Sequence, residues 1–218
     1  MNMLIAALAA SPAMAQETVD LGTLKNEEIQ VVQKLLYPKT DRSELSMSLG
    51  VVAFDPYMTA PKLQATYGKH MSENLGWEAQ LGVGYGLTNA AYKTLAGVAY
   101  GVAPEAYRYL GSLTGGVVWS PIYAKMNFQG ERIYHYDIYM PIVGGVTVEQ
   151  LAWGEKYLAF SPTVGIGVGM KVWRGDNTAI RIEVRDDVQV QNRQQSGTRA
   201  LKQNVGIHIG FAKLGEPS

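Results

Sequence analysis

From Ser43 to Leu214 the chain repeats with a period of two, and the residues at the alternate positions are an unusual pair of sets. Successive side chains leave opposite faces of a strand, so this period is the mark of sheet rather than helix. The clearest stretch sets Trp77, Ala79, Leu81, Val83, Tyr85 and Leu87 against Glu78, Gln80, Gly82, Gly84 and Gly86. Another sets Val164, Ile166, Val168, Met170 and Val172 against Thr163, Gly165, Gly167, Gly169 and Lys171. A third sets Ile180, Ile182 and Val184 against Arg181, Glu183 and Arg185. The same alternation centres on Leu45–Val51, Leu63–Met71, Leu113–Tyr123, Tyr134–Met140 and Leu201–Phe211, which makes eight strands in all. Segments of about 9–11 residues suit a tilted strand that crosses a bilayer. In lipid every unpaired backbone group is costly, so such a sheet has to close on itself, and an even count closes it with both termini at one end.

The polar set decides which face is outside. A water-covered sheet has no use for so much glycine, which weakens strands, whereas a narrow barrel interior needs it to make room for large neighbours. The glycine-bearing faces also carry charges of both signs. Glu78, Asp137, Lys171, Arg181, Glu183 and Arg185 are expected to pair across a filled lumen, since buried charges persist only when paired. The apolar set then meets lipid. Trp77, Tyr123, Tyr134, Trp153, Tyr157 and Trp173 lie near strand ends and are assigned to aromatic girdles at the headgroups. The opposite polarity, a soluble ligand carrier with its apolar face inside, is the competing reading; it leaves the glycines unexplained.

Four parts follow. Leu4 to Ala10 is apolar, Pro12 breaks it, and Ala13-Met14-Ala15 has the small-x-small form of a cleavage site, so residues 1–15 read as a signal peptide. Residues 16–42 read as a periplasmic tether with a short amphipathic helix: Leu24, Val31, Val32, Leu35 and Leu36 fall at helical spacing, Asn26 caps, and Pro38 terminates. That helix either packs on its own barrel or docks on another envelope protein. Residues 43–214 form the barrel, and 215–218 a tail. Short turns at Ser72–Gly76, Asn127–Gly130 and Gly175–Thr178 alternate with longer links at Phe54–Pro61, Thr88–Leu110, around Trp153–Lys156, and at Gln191–Arg199. Short periplasmic turns and long outer loops are the habit of such barrels. The Thr88–Leu110 loop is too apolar for a freely solvated one and reads as a cap or contact surface.

Other classes fall away on composition. Nineteen basic and nineteen acidic residues cancel, which offers nothing to a nucleic acid. The chain has no cysteine, so disulfides, thiolate metal sites and a cysteine nucleophile are excluded. No HExxH, phosphate loop, nucleophile elbow or EF-hand is present, and Gly82-x-Gly84-x-Gly86 lies inside a strand rather than before a helix. His70, His135 and His208 fall on lumen faces, where hydrogen-bonded side chains are expected rather than metal ligands. No catalytic residue, cofactor site or metal site is assigned.

The whole resembles the small eight-stranded outer-membrane barrels of the OmpA/OmpX type. Phe54-Asp55-Pro56, Ser120-Pro121-Ile122-Tyr123-Ala124-Lys125, Tyr136-Asp137-Ile138-Tyr139 and Arg181-Ile182-Glu183-Val184-Arg185-Asp186 are similar to pieces of the outer-membrane β-barrel domain family of myxobacteria and related bacteria. That resemblance implies an envelope component, in some members tied to gliding motility. The expectation is therefore an all-β, eight-stranded, antiparallel up-and-down transmembrane barrel of the bacterial outer membrane. It would be non-enzymatic, contacting outer-membrane lipids and an envelope protein through residues 16–42 or the 88–110 loop. A narrow pore for small solutes is the alternative, and a lipid-modifying enzyme a third.

Overall fold

The computed structural model describes residues 37–128, 132–153, 157–174 and 177–216. The expected signal peptide and tether helix lie outside them. The chain divides into two units at Leu35/Leu36, and the barrel belongs to the second. Its elements are β1 (Ser43–Phe54), β2 (Met58–His70), β3 (Leu75–Gly84), β4 (Leu87–Thr88), α1 (Ala90–Ala96), β5 (Tyr107–Phe128), β6 (Arg132–Leu151), β7 (Leu158–Arg174), β8 (Thr178–Asn192) and β9 (Arg199–Leu214). The two-residue β4 pairs with Met58 and Thr59 of β2 and so continues the line of β3. The staves therefore number eight. Each pairs antiparallel with its sequence neighbour, and β1 also pairs with β9, from Glu44↔Leu214 to Val52↔Gly206. Among the described residues the eight staves close into a ring, which leaves the ring itself no open edge to meet lipid.

Both barrel termini and the ends of the strands joined by the β2–β3, β5–β6 and β7–β8 connections lie at one end, here the lower mouth. The longer connections lie at the other, with one exception. The Phe54–Pro61 link is a three-residue turn, Asp55–Tyr57, because Asp55 adopts the left-handed conformation at φ 63° and its carbonyl accepts the Met58 amide at 3.2 Å. The long upper loop is shorter than the sequence suggests, running from Asn89 to Ala106. Tyr107 and Tyr109 belong to β5 and point inward. β5 and β6, at 22 and 20 residues, outrun the expected length because their lower ends project as a hairpin beyond the belt.

The polarity of the wall is inverted relative to a water-soluble protein. Leu49 and Phe211 are 65% and 67% exposed on the outside, while Arg185 and Glu183 are 2% and 1% exposed within. Two apolar plugs interrupt the polar lumen. Val52, Phe54, Met58, Ala60, Ala106, Tyr107, Tyr109, Leu151 and Ala159 fill the upper end. At the lower end Trp173, Ala179, Ala212 and Leu214 pack with Tyr37 and Tyr123. Tyr37, which precedes the barrel, stacks on Trp173 at 5.1 Å, so the last residues of the tether close the lower mouth from inside.

Glu73, in the turn between β2 and β3, fastens that segment. It accepts the amides of Lys39 and Thr40 at 3.0 Å and the Thr40 hydroxyl at 2.7 Å. Partial burial opposes its ionisation, but these donors outweigh burial and hold its carboxyl below the usual range. A lowered folded pKa gives stabilisation that is complete above the ordinary glutamate value of about 4.3 and fades as pH falls through the folded one. Hydrogen exchange at the Lys39 and Thr40 amides should therefore be slow at neutral pH and accelerate on acidification. Glu73→Gln should abolish most of that pH dependence.

A candidate functional site: the paired lumen and its belt

The six charges expected in the lumen all point inward and are all buried. Five converge on one network. Arg181, on β8, is its centre: its guanidinium stands 2.6 Å from Glu183 on its own strand, 3.2 Å from Glu78 of β3 and 3.9 Å from Glu44 of β1. Lys171 of β7 reaches Glu44 across the barrel at 2.6 Å, and His70 of β2 completes that carboxylate at 3.0 Å. Tyr139 of β6 donates to Glu183 at 2.8 Å. Its ring lies under both cations, 4.8 Å from Arg181 and 5.0 Å from Lys171. Gly169 faces Tyr139 across the ladder, and a Cβ there would run into the phenol ring, so this glycine is what admits the ring. Above, Arg185 pairs with Asp187 at 3.0 Å and with Glu183 at 3.6 Å, and donates to Gln64 at 3.1 Å and to Gln80. Gln80 in turn donates to Glu78.

Asp137 stands apart from this network. Lys39 of the entering segment pairs with it at 3.1 Å, and Trp173 Nε1 donates to the same oxygen at 3.0 Å. Glu44 and Lys39 are the members the sequence reading missed. Glu44 sat on the polar face of the first strand, but its partner is 127 residues away across the lumen, which no local pattern reveals. Of the histidines, His70 bonds Glu44 and His135 bonds the Tyr123 hydroxyl at 2.9 Å. His208 departs from the expectation, since neither of its ring nitrogens has a hydrogen-bond partner.

The aromatic assignments divide. Trp77, Tyr134, Trp153 and Tyr157 lie on the outer surface near strand ends or rims, and Trp153 donates to the Pro104 carbonyl at 3.0 Å. Trp173 does not belong to a girdle. It shares the parity of Lys171, faces inward, and is 3% exposed. Tyr123 also turns inward, opposite Asp137, because a β-bulge between Trp119 and Ile122 places one extra residue at Pro121 and reverses the alternation. Tyr67, Tyr85 and Trp119 are exposed aromatics that the sequence reading left out of the belt.

The lumen has almost no free space at the network. The cavity bordered by Glu44, His70, Glu78 and Lys171 measures about 10 Å³, room for roughly one water. Among the described residues no group of three or more acidic or histidine side chains is placed to hold a metal ion.

No protein family and no curated protein matches the chain. Solved structures do. Ail, the attachment invasion locus protein of Yersinia pestis, is 11% identical over 80% of this chain and 99% of its own, with a TM-score of 0.42. Neisserial surface protein A is 9% identical over 79% and 95%, at 0.41. The N-terminal β-barrel domain of Pseudomonas aeruginosa OprF is 9% identical over 79% and 98%, at 0.42. The chain is a small β-barrel of the outer-membrane type on its own geometry: a closed ring of eight staves, an apolar outer wall and a charged, filled interior.

Removing one partner from a buried ion network leaves a charge with nowhere to go, at a cost of about 3–5 kcal/mol. Arg181→Met should therefore lower the urea-unfolding free energy of the folded barrel in detergent by about that amount. Substitution of a lipid-facing residue of similar size, Ile182→Leu, should cost less than about 1.5 kcal/mol.

Proposed function

We propose that the protein is a non-enzymatic anchor in the bacterial outer membrane that presents its ends to other envelope components. One observation carries this reading: among the described residues the barrel is stoppered at its base, its middle and its top. The Tyr37–Lys39 segment fills the base, the Arg181 network fills the middle, and the Phe54–Tyr107 plug fills the top. Eight staves enclose a space just wide enough for side chains, and here side chains occupy it. Such a filled body is suited to holding something else in place.

What it offers is at the two ends. The upper loop is rooted by hydrogen bonds from Asn89 to Pro56 and from Ala152 to Ala106, while Val98, Tyr100 and Val102 stand exposed at its crest. Exposed apolar residues on a tethered loop suit a protein contact. Residues 16–42, expected from the sequence to be a tether, are the other proposed contact. The resemblance to barrels of myxobacteria and related bacteria supports membership of a trans-envelope or motility assembly.

The pore reading makes a different demand, since ions would have to pass Arg181. Planar-bilayer recordings on the purified protein should show no stable ohmic conductance. A steady conductance that drops when Arg181 or Arg185 is neutralised would replace the anchor with a channel. Crosslinking in cells from Val98 should trap an envelope protein, and fractionation should place the chain with the outer membrane.

A further inference from the structure

Glu149 is the one wholly buried carboxylate among the described residues that forms no ion pair. It lies on the inner wall of β6 near the upper mouth. Ser161 of β7 donates to its Oε1 at 2.6 Å. Gln189 and Gln191 of β8 donate to its Oε2 at 3.1 and 2.7 Å. Each of those amides leaves its own carbonyl oxygen buried with no donor. Lys202, opposite Gln189 in the ladder, does not help, because Asp55 already holds it at 2.9 Å. The patch thus has one carboxyl group with no cation beside it and two empty carbonyl acceptors. It also has a serine hydroxyl whose lone pairs stay free while its hydrogen goes to Glu149. All four side chains project from adjacent strands of a fixed ladder.

A buried carboxylate needs a counter-charge, and buried carbonyl oxygens need a donor or a cation. One species meets both needs. We propose that this patch is a binding site for a hard, oxygen-seeking cation, with Glu149, Gln189 Oε1, Gln191 Oε1 and Ser161 Oγ as its ligands. The two amides have only to turn about their last torsion to bring oxygen where nitrogen now faces the carboxylate. Hard cations such as Ca²⁺ favour this set of carboxylate, amide carbonyl and hydroxyl oxygens. The ion would fasten β6, β7 and β8 together just beneath the upper loops. The site is separate from the Arg181 network and does not depend on the anchor reading.

The test is equilibrium dialysis of the folded full chain in detergent against Ca²⁺ near neutral pH, repeated with Mg²⁺ and Na⁺, alongside thermal unfolding in each salt. The expected result is about one tightly held Ca²⁺ per chain and an unfolding midpoint that climbs with Ca²⁺ concentration, as ligand linkage requires. Glu149→Gln should lose both the bound ion and the climb. Ser161→Ala, which removes one oxygen and no charge, should weaken binding without abolishing it and guards against a Glu149 variant that fails to fold. Absence of any bound cation in the wild-type protein would overturn the proposal, with a proton left as the neutralising species. Ca²⁺ binding unchanged in both variants would overturn it equally, by placing the ion elsewhere.

Discussion

The ladder between β1 and β9 is the interaction on which everything else depends. A sheet in lipid has no water to satisfy its edge, so until Glu44–Val52 meets Gly206–Leu214 the backbone groups of two strands stand bare in hydrocarbon. Closing that seam turns an open meander into a cylinder, and the cylinder sorts every residue by parity into lipid or lumen. The apolar outer wall follows from the solvent. The charged interior then follows from the small diameter, because whatever faces inward touches its opposite number across the axis.

Charge inside a barrel is a liability that the chain offsets by crowding. Arg181 touches three carboxylates and one phenol, Glu44 two cations, and Glu183 two cations and a phenol. Such a network contributes little over an apolar filling of the same shape, but it is unforgiving of single losses. It also fixes strand register, since a one-residue slip of β8 would carry Arg181, Glu183 and Arg185 into lipid. The paired charges thus specify the fold as much as they stabilise it.

Much of this was legible in the residues. The alternation along Trp77–Leu87 and the glycines opposite the apolar face mark both the sheet and its inversion. What escaped had physical causes. Trp173 lies near a strand end, which suggests a girdle, but it shares the inward parity of Lys171. Tyr123 turns inward because a bulge at Pro121 resets the alternation, and one strand's sequence does not show where it carries an extra residue opposite its partner. The upper plug left a sign in Val51-Val52-Ala53-Phe54, apolar on both faces where the rest of β1 alternates. The Glu44–Lys171 and Lys39–Asp137 pairs span the lumen, and nothing local in the sequence encodes a contact across a closed ring.

Spin labelling tests the inverted polarity most directly, and the chain invites it because it contains no cysteine to remove. Single cysteines at Leu81 and at Gln80, neighbours on β3, would each carry a nitroxide in a reconstituted bilayer. The label at position 81 should collide freely with oxygen dissolved in lipid and hardly at all with a water-soluble nickel complex, while the label at position 80 should be immobilised and shielded from both. A water-exposed label at 81 beside a lipid-exposed label at 80 would contradict the inverted polarity.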